Sequence, residues 1–379
     1  MERSPRNAGT RADSTQGGPA RHTYRAEVVG SLLRPDYLKQ AVARHQAGAA
    51  SEPELRAAQD RAVREALTLQ EEAGIEAVTD GEMRRSAWTD PLTAGFEGFG
   101  RAEQIGLFSQ EGPRRSLLPA LTGPIAPRSN LPLREALFAR AHTQRTVKPT
   151  MPSPSYASML YVPGVSEAAY PSREQFLAEL LPQLRRLVGE LVEAGFDYIQ
   201  LDCPRYSALV MEETRARLRE LGLDPWRWFE RMIELDNELI DAFPQVTWAM
   251  HVCRGNHQST WYAEGGYDPI AERLFGELHV QRFFLEYDTP RAGTFEPLRY
   301  VTGAKIVVLG LLTTKQPEVE PDELVIRRIE EASRYLPLER LALSPQCGFA
   351  STFPGNKLDN EAQRRKLEAV GRVARAVWG

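Results

Sequence analysis

The sequence predicts an α/β protein built as a (β/α)8 TIM barrel with a long insertion after its second strand. Three observations carry that expectation. Short apolar runs alternate with long amphipathic stretches, eight such runs occur, and side chains of metal-ligand type stand at the C-terminal ends of several of them.

The eight runs fall at 25–30, 75–79, 147–151, 196–201, 246–252, 281–286, 304–309 and 340–343. Each is short and apolar enough to be a buried strand. Helix-like stretches separate most of them, at 52–73, 173–194, 225–242, 268–278, 321–335 and 360–378. Within 174–194 the stripe Leu177, Leu180, Leu181, Leu184, Leu187, Val188, Leu191 repeats at helical spacing. Two helices stop at Ala-Gly, at Gly74 and Gly195, where glycine takes the left-handed conformation that ends a helix, and a strand follows each. An open doubly wound sheet is the competing architecture. Its dinucleotide fingerprint is missing, because Gly95-Phe96-Glu97-Gly98-Phe99-Gly100 has the wrong spacing and no strand directly before it. The stretch 80–146 is too long for a plain connection and is expected to form a lid or extra hairpin over one barrel mouth. Residues 1–23, polar and without a hydrophobic period, read as a flexible tail, and 24–379 as a single barrel.

Composition excludes several classes. With 42% hydrophobic and 26% charged residues and a formal charge of −4, the chain is neither fibrous nor strongly basic, so nucleic acid is not an expected partner. No apolar run reaches the roughly 18 residues of a membrane span, and the first 23 residues lack the apolar core of a secretory signal. Three cysteines are too few for a disulfide framework, which favours a reduced, cytoplasmic protein.

The chemistry concentrates at strand ends. His251 and Cys253 are two apart at the end of 246–252, so they point the same way. Glu286 ends 281–286, and Cys347 follows the last strand. Two thiolates, an imidazole and a carboxylate make a tetrahedral set suited to Zn2+. The competing reading pairs Glu286 with an arginine and leaves both cysteines as packing. Ser31, Glu82 and Asp202 end three further strands. Singly each reads as a helix cap or surface group, but together on one rim the two carboxylates suit an ammonium and the hydroxyl a carboxylate.

Combined, the motifs Val29-Gly30-Ser31-Leu32-Leu33-Arg34-Pro35, Val78-Thr79-Asp80-Gly81-Glu82, Pro152-Ser153-Pro154, His251-Val252-Cys253-Arg254-Gly255-Asn256 and Ser344-Pro345-Gln346-Cys347-Gly348-Phe349 resemble the catalytic domain of cobalamin-independent methionine synthase. Over residues 24–379 the chain looks like the family's short single-domain bacterial relatives. The resemblance implies a zinc-dependent methyltransferase that activates homocysteine through its sulfur and methylates it, with His251, Cys253, Glu286 and Cys347 as metal ligands and Ser31, Glu82 and Asp202 as substrate contacts. The methyl donor is 5-methyltetrahydrofolate, a methylated corrinoid protein or another small methyl compound.

Three departures bear on the donor. The full-length synthases resemble two barrels in tandem, and the resemblance here is to the catalytic one alone. Their Asp-x-His motif after strand seven is replaced by Thr313-Thr314-Lys315-Gln316-Pro317, which makes Lys315 the candidate acid. Cys203 follows Asp202 where the large enzymes carry a carboxylate. Rival functions are an epoxide:coenzyme M transferase, whose sulfonate calls for cations such as Arg34, Arg84 or Arg85, zinc-dependent hydrolysis, and a non-catalytic zinc-binding barrel.

Overall fold

Parallel pairing runs around the molecule in chain order. The computed structural model describes residues 22–106, 114–220 and 222–379. Leu341–Pro345, Ile306–Leu312, Arg282–Glu286, Thr247–Val252, Tyr198–Asp202 and Thr150–Pro152 form one six-stranded sheet in that order. Ala77–Val78 pairs in parallel with Thr146–Val147. Ala26 then bridges to Leu343 and Glu27 to Ala77. With 146–152 taken as one strand, the pairings close a circuit of eight positions, the expected barrel.

The period-two alternation sorts each strand's side chains between the barrel interior and the helix layer. Val29, Ala77, Tyr198, Ala249, Phe284, Ile306, Val308 and Ala342 form an interior cluster of their own. Their neighbours Ile199, Leu201, Met250, Val252, Phe283 and Leu285 join the larger core beneath the helices. Continuing the inward series toward the strand ends gives Asp202 after Tyr198, His251 and Cys253 after Ala249, and Glu286 after Phe284. The pattern that builds the core therefore also aims the functional side chains. Below them lies a buried ionic layer: Glu27 accepts from Tyr198 Oη at 2.6 Å, pairs with Arg282 and lies 3.6 Å from Lys148 Nζ. Buried charges persist only when paired in this way.

Gly74 and Gly195 adopt φ of +82° and +88°, closing the helices Glu52–Glu72 and Arg173–Glu193 as their sequence position requires. Ser51 starts the first of these with a reciprocal capping box to Glu54, and Ser172 caps the second.

Three strand expectations are refined. The first strand is reduced to two bridges, because side chains take its carbonyls: Lys148 Nζ bonds Val28 O at 2.7 Å, Gln200 Nε2 bonds Val29 O at 2.8 Å and Thr79 Oγ1 bonds Gly30 O at 2.7 Å. The third strand divides at Pro149, which has no N–H to give a ladder. The seventh begins at Ile306 rather than 304, after the turn at Gly303, whose φ is +61°. The stretch 80–146 holds an antiparallel pair, Phe96–Gly106 with Arg114–Pro127, followed by the helix Leu131–Arg140. Leu121 accounts for its docking: its N–H donates to Leu160 O and its carbonyl accepts from Ser166 Oγ, both at 2.7 Å. The tail expectation for 1–23 lies outside the described residues apart from His22 and Thr23. Among the described residues no helix is long and apolar enough to cross a membrane.

Candidate active site

His251, Cys253 and Cys347 meet at the C-terminal mouth of the barrel, all buried, with ligand atoms within 4.8 Å of one another. Strand register explains the imidazole's orientation. Asp202 pairs with His251 across adjacent strands, and Asp202 Oδ1 accepts from His251 Nδ1 at 3.0 Å. That bond fixes the tautomer, and Nε2 is left buried without a protein partner. The charges around the three donors favour a cation. Burial disfavours the imidazolium, but Cys347 and Asp202 outweigh it and raise His251 to about 10. The Cys253 hydrogen bond holds Cys347 well below the usual thiol range, against its burial. Two thiols and an orphaned imidazole nitrogen are a donor set that fits zinc.

The two loops carrying the cysteines are tied together. Asn256 donates to Gly348 O at 2.6 Å and accepts from Asn356 Nδ2 at 2.9 Å. Gly348 is required because a Cβ there would lie 2.0 Å from Ser31 Oγ.

One pocket of about 100 Å³ is lined by Ser31, Glu82, Asp202, His251, Cys253 and Cys347 together. At roughly 10–15 Å³ of accessible volume per water, it has room for a small amino acid. Glu82 is held in a strained left-handed conformation, φ +54°, directly after Gly81. Asp80 Oδ1 accepts its N–H at 2.9 Å and Arg34 donates to its carbonyl at 2.7 Å. Its Oε1 accepts from Thr150 Oγ1 at 3.1 Å and Arg85 at 3.3 Å, while Oε2 is buried with no partner. Burial raises Glu82 to about 7, against the pull of Arg85 and Arg34.

Glu286 and Lys315 stand apart from this wall. Glu286 is buried, but Arg291 donates to Oε1 at 2.6 Å, and Oε2 accepts from the Arg254 N–H at 2.7 Å and Gln346 Nε2 at 2.8 Å. The arginine partner considered from the sequence is thus present. Although burial opposes ionisation, Lys315, Arg254 and Arg291 hold Glu286 at about 2. Lys315 is buried with Nζ unpartnered, and it does not line the pocket.

Sequence reasoning missed part of the pocket's lining. Trp88, Tyr156, Arg205 and Tyr262 also line the pocket. Asp236, on the helix Pro225–Ile240, fixes part of it: its carboxylate accepts from the Ser155 N–H, Ser155 Oγ and Tyr206 Oη, each at 2.8 Å. Ser155 Oγ also lies 3.2 Å from Cys203 Sγ, whose thiol burial pushes up to about 12. Cys203 therefore belongs to this support and not to the His/Cys/Cys group. Asp236→Ala should cost about 1–3 kcal/mol in urea unfolding by orphaning these donors; unchanged stability would show that the network does not hold the wall.

Comparison with known proteins follows the same lines. The family model described as cobalamin-independent synthase, catalytic domain, matches residues 25–374. Uncharacterized protein YxjH of Bacillus subtilis is 36% identical over 377 residues, 98% of each chain. A Synechococcus protein named 5-methyltetrahydropteroyltriglutamate–homocysteine methyltransferase is 26% identical over 85% of this chain, which spans 40% of that protein. The crystal structure of a putative vitamin-B12-independent methionine synthase from Listeria monocytogenes superimposes with a TM-score of 0.71 at 32% identity, covering 94% of this chain and 98% of its own.

Proposed function

The chain belongs to the cobalamin-independent methionine synthase family, catalytic-domain type, and from that premise we propose that it methylates the sulfur of L-homocysteine to give methionine. The observation that carries this reading is the meeting, in one pocket, of the His/Cys/Cys group with the unpartnered Glu82 Oε2. A thiol-bearing amino acid needs both.

His251, Cys253 and Cys347 would hold zinc, with Glu286 as the fourth candidate once it gives up a hydrogen bond. Bound there, zinc would favour deprotonation of a coordinated thiol, which supplies a sulfur nucleophile at neutral pH. Asp202 fixes the His251 ring. Glu82 and Asp202 take the substrate ammonium, and the Ser31 hydroxyl takes its carboxylate. Lys315 stands in place of the family's histidine as the group to protonate the leaving donor. The donor is 5-methyltetrahydrofolate, another small methyl compound or a corrinoid protein.

The arginines that kept a sulfonate-bearing thiol in view are all engaged. Arg34 bonds backbone carbonyls, Arg84 bonds Asp60 and Arg85 bonds Glu135 and Glu82. With these three engaged, the two carboxylates Glu82 and Asp202 in the pocket support an amino-acid thiol over coenzyme M. The test incubates zinc-loaded protein with L-homocysteine or coenzyme M and each candidate donor. Methionine detected by mass spectrometry supports the proposal; methylation of coenzyme M alone contradicts it.

Glu82 also sets a pH dependence. Because burial raises it to about 7, the anion that pairs with an ammonium forms as pH rises through that value. Affinity for L-methionine, which has no thiol to titrate, should strengthen roughly tenfold between about pH 6 and pH 8. Glu82→Gln should weaken binding and flatten the profile. A flat profile for the wild type would remove Glu82 from the ammonium site.

A further inference from the structure

The insertion that follows the second strand reaches the pocket wall through one guanidinium. Glu82, Arg85 and Glu135 are all buried, and Glu135 comes from the helix Leu131–Arg140, 50 residues along the chain from Arg85. Every N–H of Arg85 has an acceptor. Nε donates to Glu135 Oε2 at 3.0 Å and Oε1 at 3.2 Å, and Nη2 to Glu135 Oε2 at 2.6 Å and Thr150 O at 2.9 Å. Nη1 donates to Thr150 Oγ1 at 3.1 Å and, over the longest of these distances, to Glu82 Oε1 at 3.3 Å. The fork of the guanidinium therefore belongs to Glu135, and Glu82 receives a single long contact.

With both carboxylates ionised, the three side chains sum to one negative charge. Arg34, Asp202 and Asp80 also act on Glu82, and Asp80 and Arg84 on Glu135. Arg34 donates to backbone carbonyls and Arg84 to Asp60, so neither guanidinium bonds a carboxylate of the triad. Glu82 lines the pocket and keeps Oε2 unpartnered, whereas Glu135 does not line it. A buried surplus charge is costly until a cation joins it, and an ammonium in the pocket brings the sum to zero. Burial raises Glu135, like Glu82, to about 7 against the pull of Arg85. The empty triad thus takes up a proton near neutrality, with a midpoint that belongs to the group and not to either carboxylate.

Resting on the amino-acid reading, we infer that Glu135, a positioning residue outside the pocket, holds the Arg85 fork away from Glu82 and so leaves one negative charge on the pocket wall for the acceptor's ammonium. The insertion thereby sets the charge of the acceptor site without touching the acceptor.

The test measures L-methionine binding to zinc-loaded protein by calorimetry at about pH 6 and pH 8, in wild type, Glu135→Gln and Glu135→Asp, with thermal unfolding as the check on fold. Glu135→Gln leaves Arg85 with one carboxylate, so Glu82 ionises at lower pH but its charge is already balanced. Where wild type gains roughly tenfold in affinity from pH 6 to pH 8, Glu135→Gln should gain less than about threefold and bind about tenfold more weakly than wild type at pH 8. Glu135→Asp, which keeps the charge, should restore the gain. In a Glu82→Gln background, Glu135→Gln should change affinity by less than about twofold, because the carboxylate it acts through is gone. A Glu135→Gln protein that keeps the wild-type gain overturns the inference, and a loss of equal size at both pH values does so too, by marking general damage to the pocket. A flat profile in folded Glu135→Asp overturns it without any need for the glutamine variant to fold. A wild type that shows no gain removes Glu82 from the ammonium site and defeats the amino-acid reading as well, whereas a wild-type gain unchanged by Glu135→Gln defeats the inference alone.

Discussion

Cys347→Ala should lose stoichiometric zinc and reduce methionine formation by about three orders of magnitude or more. The thiol is one of three donors whose ligand atoms lie within 4.8 Å of one another, and a site built from so few ligands does not survive the loss of one. The variant should still fold. Cys347 lies beyond the strand Leu341–Pro345, and besides Cys253 and His251 of the group itself its Sγ contacts Ser351 Oγ at 3.9 Å. Circular dichroism and thermal unfolding check the fold, and elemental analysis after metal-replete purification checks the zinc. Cys203→Ser is the matched control. That thiol is equally buried but bonds Ser155, so the variant should keep its zinc. Full zinc in Cys347→Ala would remove this cysteine from the centre.

Asp202→Ala should be nearly as damaging, because one carboxylate does two jobs. It accepts from His251 Nδ1 at 3.0 Å and lines the pocket where the ammonium would lie. Losing an orienting carboxylate typically costs 10–100-fold in metal affinity. Losing a hydrogen bond to a charged group costs a further 1.5–3 kcal/mol. Together these predict a fall in kcat/KM of roughly 10²–10⁴-fold. Asp202→Asn separates the roles, since the amide oxygen can still accept from Nδ1–H while the charge is gone. It should retain zinc better than Asp202→Ala but bind L-methionine about as poorly. Equal zinc affinity in all three proteins would deny Asp202 its orienting role.

These two residues also mark what a sequence reveals. His251 and Cys253 are legible because a strand's period of two puts them on one face, and the alternation that buries Ala249 and Phe284 inside the barrel aims Cys253 and Glu286 toward its mouth. Asp202 is legible as a polar group at a strand end. Its bond to His251 is not, because that depends on the register that sets the two residues side by side. Glu286 reads as a ligand by its position, but its hydrogen bonds come from Arg291 in a 3-10 turn, from the Arg254 N–H and from Gln346 in another loop, which no local pattern predicts. Lys315 likewise follows the end of a strand, and it is buried beside Glu286 and Cys347 without lining the pocket.

The central claim is that the His/Cys/Cys group holds zinc with a place for substrate sulfur. Zinc X-ray absorption on the purified protein, with and without L-homocysteine, tests it most directly. The account predicts two sulfur neighbours, from Cys253 and Cys347, rising to about three when the substrate is added as one light ligand is lost. Zinc with two sulfurs that do not change on addition of L-homocysteine would contradict it.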